Sequence, residues 1–135
     1  MKIKPKDGNK TFCMAPWSHT YLSPQSERRM CCASREKAEW ATQYLDSDKA
    51  EENSFYNPGK LEDHWNSDYM KGIRRDLMAG KEISQCQVCN DQLLNVSIYR
   101  DYFNKTLFPN KIDEAFEKTR DDGHTYMPPI SFDYR

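Results

Sequence analysis

Five cysteines in a chain of 135 residues, with a mean hydropathy of −1.00, limit the possible folds more than any other feature. Hydrophobic residues make up 37% of the sequence and charged residues 30%. Core-forming material is therefore thin for this length, and some further stabilising element is expected. Aromatic residues at 13% argue against a wholly disordered chain, because disordered segments lack them. The basic N-terminus MKIKPKDGNK leads into no apolar run of signal-peptide length. No stretch approaches the roughly 20 apolar residues that span a bilayer. A cytoplasmic location is expected, where thiols stay reduced and disulfides are rare. The odd cysteine count agrees with that. Metal or cluster ligation becomes the leading use of these residues.

Spacing sharpens this expectation. Cys86 and Cys89 form a C-x-x-C pair at the start of an expected helix, where backbone N–H groups and a partial positive charge favour anionic sulfur. Cys13 precedes an expected hairpin and Cys31 closes it. The segment from Trp17 to Leu22 alternates bulky and polar side chains. Pro24, Gln25 and Ser26 supply turn chemistry, and Arg28 to Cys32 is the returning strand. Four thiolates gathered this way suit tetrahedral Zn²⁺ or a cubane iron–sulfur cluster equally well. Cys32 points away from Cys31 if both lie on a strand; it is read as a packed or spare thiol, and as the alternative ligand to Cys31. The competing reading is four buried, reduced thiols that merely pack well. Trp17 and Trp65 are read as core residues that shield the site. His19, His64 and His124 share no ligand spacing and read as surface or hydrogen-bonded histidines. The pairs Arg28-Arg29 and Arg74-Arg75 read as a solvated face, and the net charge of −1 argues against nucleic acid or an anionic membrane as partner.

Residues 1–11 are polar and read as a flexible N-terminus. A helix is expected from Arg35 to Leu45, with Trp40 and Tyr44 on one face, and Asn57-Pro58-Gly59 reads as a turn. Asn66 or Ser67 can cap a helix that runs to about Ala79 and stops at Gly80, with Tyr69, Met70, Ile73 and Leu77 facing inward. A further helix from Ser84 would carry Cys89, Leu93, Val96, Tyr99 and Phe103 along one stripe. Another from Asn110 would bury Ile112, Ala115, Phe116 and Thr119. Pro128 and Pro129 end helical structure, and ISFDYR reads as a strand with no parallel neighbour in this chain. The expected class is α+β, a small hairpin plus helices organised around a four-cysteine site.

The elements FCMAPW, RRMCC, HWNSDYMKGIRRDLMAGK and CQVCNDQ, in that order, resemble the SPASM or twitch module of radical S-adenosylmethionine (SAM) proteins. The matching residues are Cys13, Pro16 and Trp17; Cys31; Gly59 and Leu61; Trp65; Arg74; and Cys86 with Cys89, within a span from Phe12 to Asn104. Ser26 stands where the family usually has a hairpin glycine, and the segment from Cys32 to Gly59 is long. The resemblance implies an auxiliary iron–sulfur cluster, [4Fe-4S] in type, held by Cys13, Cys31, Cys86 and Cys89, with zinc as the alternative. It also implies electron transfer or substrate positioning as the role. Residues 12–107 would form this module. Residues 108–135 would be a connecting helix and the first strand of a truncated SAM-cleaving barrel, because PPISFDYR resembles that strand. The barrel's C-x-x-x-C-x-x-C motif is absent, so the chain alone is expected to be non-catalytic and to continue past Arg135. The implied partners are the rest of the barrel or a substrate protein or peptide, and SAM would bind only the barrel.

Overall fold

The computed structural model describes residues 2–22, 28–31, 34, 64–91 and 98–134. Within them the fold is α+β. Its organising element is a three-stranded sheet of order β2-β1-β3, made of β1 (His19–Leu22), β2 (Arg28–Arg29) and β3 (Ser131–Tyr134). The expected hairpin is present, with β1 antiparallel to β2 and Tyr21 opposite Arg29. The hairpin's turn, Cys32, the expected helix from Arg35 to Leu45 and the turn at Asn57-Pro58-Gly59 lie outside the described residues.

One expectation about the sheet is corrected. The C-terminal strand has a parallel neighbour: β3 pairs with β1, placing His19 opposite Ser131 and Leu22 opposite Tyr134. Ile130 N–H extends the pairing by donating to the Ser18 carbonyl at 2.8 Å. Parallel partners need a long connection between them, and here more than a hundred residues intervene. No local pattern in the sequence could announce that pairing.

Trp17 belongs to a helix rather than to β1. Pro16, with its φ pre-set for a first helical turn, opens the four-residue α1 (Ala15–Ser18), and Ser18 Oγ donates back to the Met14 carbonyl at 2.7 Å. The following α2 (Asp68–Met78) matches the capping chemistry, since Ser67 Oγ accepts the Met70 N–H at 3.2 Å. Met70, Ile73 and Leu77 are buried and Tyr69 is half-buried. Gly80 follows with φ +78°, the left-handed conformation that commonly ends helices.

The helix expected from Ser84 is described in two helical stretches of mixed type, 84–91 and 98–107. A 3-10 turn at Ser84–Cys86 leads into α3 (Gln87–Asp91). Then α4 (Ile98–Asp101) runs into a π-helical turn at Tyr102–Leu107. Leu93 and Val96 lie outside the described residues. Beyond a 3-10 turn at Pro109–Lys111, α5 (Ile112–Glu117) buries Ala115 and Phe116 as expected. Thr119 is also buried, but in a bridge to Thr125 rather than in the helix.

Within the N-terminal segment read as flexible from its polarity, Asn9 is hydrogen-bonded to the body of the fold. Asn9 is 5% exposed; its Nδ2 donates to the Ile3 and Leu77 carbonyls while its Oδ1 accepts from the Thr11 and Phe12 N–H groups. One buried amide thus satisfies four backbone groups, which hydrophobic patterning does not reveal. The core holds Phe12, Trp17, Ile73, Leu77 and Phe116 together with Met14, Met30, Met70, Met78 and Met127. Methionine fills irregular gaps, which suits a chain short of branched apolar residues.

Candidate metal centre

Cys13 leads into α1, Cys31 follows β2, and Cys86 and Cys89 flank the junction of the 3-10 turn with α3. These four segments converge. All four side chains line one small cavity, none is more than 8% exposed and none is in a disulfide. Met30 and Phe103 supply apolar wall, and Ser34, Gln85 and Arg100 complete the lining. Neither Trp17 nor Trp65, expected to shield the site, lines this cavity. Both tryptophans are core residues: Trp17 Nε1 donates to Thr119 Oγ1 at 2.8 Å and Trp65 Nε1 to the Met127 carbonyl at 2.7 Å.

Burial pushes the Cys13 thiol far above its ordinary range, and the nearby Cys86 acts in the same direction. The Ala15 N–H opposes them, Cys89 adds to the rise, and the Arg100 charge favours the thiolate. Thiols in such surroundings become thiolates together with a thiophilic cation, releasing protons as it binds. The donor set therefore suits zinc or an iron–sulfur cluster in chemistry. The thiols face a common space without forming a tight ligand shell: among the described residues, no three His, Cys, Asp or Glu side chains are grouped as a metal-binding set.

Several positioning residues had no sequence signal. Asn104, in the π-helical turn, accepts the Met14 N–H at 2.8 Å and donates to the Phe12 carbonyl at 2.7 Å, so it holds the chain on both sides of Cys13. Asn90, next to Cys89, donates to the Ile83 carbonyl at 3.2 Å and accepts from Arg100 Nη2 at 2.8 Å. Ser34 N–H and Oγ both donate to the Cys31 carbonyl. π-helical turns are often retained at functional sites; this one places Phe103 and Asn104 on the cysteine side of the fold.

Arg74 does not lie on a solvated face. It is fully buried, with Nε donating to the Pro16 carbonyl at 2.7 Å, Nη1 to Asn66 Oδ1 at 3.1 Å and to the Gly123 carbonyl at 3.4 Å, and its guanidinium 4.7 Å from the Trp65 ring centroid. Burial lowers its pKa to about 9, so it remains charged at neutral pH. Its neighbour Arg75 is exposed. His19 is buried, with Nδ1 2.9 Å from Ser131 Oγ across the β1–β3 pair. His64 is buried and His124 half-buried, and none of the three histidines lines the cysteine cavity.

Comparison of the chain with protein-family models, with curated proteins and with solved structures finds no match. Among the described residues no helix is long and apolar enough to cross a membrane.

Proposed function

We propose that this chain is an auxiliary iron–sulfur cluster domain of a radical SAM enzyme. The observation that carries the reading is the convergence of Cys13, Cys31, Cys86 and Cys89 on one buried cavity, although they come from segments up to 76 residues apart (89 − 13). A second observation supports it. Pro16, Trp65 and Arg74, three of the residues that carry the SPASM-like resemblance, meet in one place through Arg74.

The four cysteines would hold the cluster. When bound, a cluster of this kind supplies one-electron transfer and a fixed electrostatic reference for a neighbouring substrate. The chain's own contribution is to exclude water with Met30 and Phe103 and to fix Cys13 through Asn104. Its partner is the SAM-cleaving barrel, with a protein or peptide substrate read at their junction.

Anaerobic reconstitution with iron and sulfide tests the reading. The expected result is a brown protein with stoichiometric iron and sulfide, lost in Cys86→Ala. Uptake of zinc alone would instead define a four-thiolate structural module. Uptake of neither metal would leave four packed thiols and overturn both forms of the proposal.

A further inference from the structure

Arg100 is buried beside the cysteines, and among the described residues no carboxylate pairs with it. It is 4% exposed and lines the cysteine cavity. Two of its nitrogens are held by neutral groups: Nη2 donates to Asn90 Oδ1 at 2.8 Å and Nη1 to the Lys10 carbonyl at 3.4 Å. The third, Nε, is buried with no hydrogen-bond partner among the described residues. A buried guanidinium is costly unless an anion and hydrogen bonds compensate it. The groups around the cavity that become anionic are the thiols, and four thiolates around an iron–sulfur core leave it net negative.

We propose that Arg100 is the counter-charge of the centre held by Cys13, Cys31, Cys86 and Cys89, and that it raises the centre's reduction potential. This rests on the cluster reading above. Arg100 is a positioning residue, because it acts on the centre by its field and its N–H groups while the cysteines hold the iron. Reduction adds a negative charge, and a fixed positive charge in a medium of low effective dielectric stabilises that state most. Asn90 makes the device rigid by tying the guanidinium to the residue after Cys89.

The test is redox titration of the anaerobically reconstituted full chain, with iron content measured alongside. Arg100→Gln is expected to keep iron and to be about tenfold less reduced at a given ambient potential, a negative shift of about 59 mV for one electron. Arg100→Lys, which keeps the charge, should stay close to the parent potential. Should Arg100→Gln fail to load, Asn90→Asp carries the same expectation, since a carboxylate there neutralises the guanidinium in place. Loss of iron in both of these with retention in Arg100→Lys also supports the counter-charge. An unchanged potential in Arg100→Gln, an equal fall in Arg100→Lys, or loss of iron in all three variants overturns it. A parent chain that takes up no iron overturns the cluster reading as well, so the two failures are distinguishable.

Discussion

Asn104 brackets Cys13: its side-chain amide accepts the Met14 N–H at 2.8 Å and donates to the Phe12 carbonyl at 2.7 Å. A single residue 91 positions away in sequence (104 − 13) thus fixes the backbone on both sides of a candidate ligand. The amide can do this because its Nδ2 donates while its Oδ1 accepts. Asn104→Asp keeps the acceptor, but the carboxylate has no proton for the Phe12 carbonyl. Asn104→Asp and Asn104→Ala are each expected to cost about 1–3 kcal/mol by leaving a buried backbone group unsatisfied. Denaturant unfolding of the metal-free chain measures this cost. Iron content after reconstitution should fall in the same variants while Asn104→Gln falls least, and equal stability across the three would remove Asn104 from the account.

Gly123 gives the sharpest steric prediction. It lies at φ +97°, and a Cβ added there would sit 1.9 Å from the Lys71 carbonyl oxygen in α2. The turn from Arg120 to His124 is pressed against helix backbone, and its Gly123 carbonyl also accepts from Arg74. Gly123→Ala is expected to cost more than about 4 kcal/mol, in the exceptional range for one substitution, and to give little folded protein. Gly8 is the control, because its φ is +107° but nothing lies within 4 Å of an added Cβ. Gly8→Ala should cost only the backbone term, about 1–2 kcal/mol. Circular dichroism melts of the two variants separate close approach from dihedral strain.

Arg74→Lys is predicted to fail as a conservative change. The planar guanidinium reaches the Pro16 carbonyl, Asn66 Oδ1 and the Gly123 carbonyl while its face lies over Trp65, and an ammonium cannot span those three directions. Carbonyls left without donors and a less delocalised buried charge should destabilise the fold by about 2–4 kcal/mol. Because Asn66 Oδ1 also accepts the Thr125 N–H and Asn66 Nδ2 donates to the Thr125 carbonyl, the damage should reach the C-terminal segment. Hydrogen exchange there should quicken in Arg74→Lys and stay unchanged in Arg75→Lys, whose parent residue is exposed.

The sequence exposed what is local. Ser67 and Gly80 bracket α2 because cap chemistry is written within a few residues, and the β1–β2 hairpin follows from alternation and a turn. The four cysteines that spacing and motif order single out line one cavity. Asn9, Asn104, Arg74 and the β1–β3 pairing were not legible, since each depends on at least one partner about 60 to 110 residues away and polar side chains give no periodic signal. Arg74 was misread for that reason: beside Arg75 it looks like a surface charge pair, and only the fold shows that one is buried and the other exposed. The helix expected from Ser84 is helical over 84–91 and 98–107, but apolar spacing does not distinguish the 3-10 and π turns within those stretches from α-helix.

Cys31 and Cys32 offer the most direct test of which thiol serves the centre. Cys31 is 7% exposed and lines the cavity with Cys13, Cys86 and Cys89, and Ser34 anchors its carbonyl from two donors. Cys32 lies outside the described residues. Cys31→Ser keeps nearly the same volume and removes the soft ligand, so its effect depends on whether iron is present. In the metal-free chain the cost should stay within about 1–3 kcal/mol, that of burying a hydroxyl in a mostly apolar lining. In the loaded chain it should be much larger, because binding energy at a site formed only in the folded state is folding energy, roughly 10–16 kcal/mol for four-ligand zinc peptides. Cys32→Ser should retain iron and melt with the parent. Iron analysis and paired melts with and without metal give the answer: iron loss in Cys32→Ser alone moves the ligand by one residue, and an equal penalty for Cys31→Ser in both states makes its thiol a packing group.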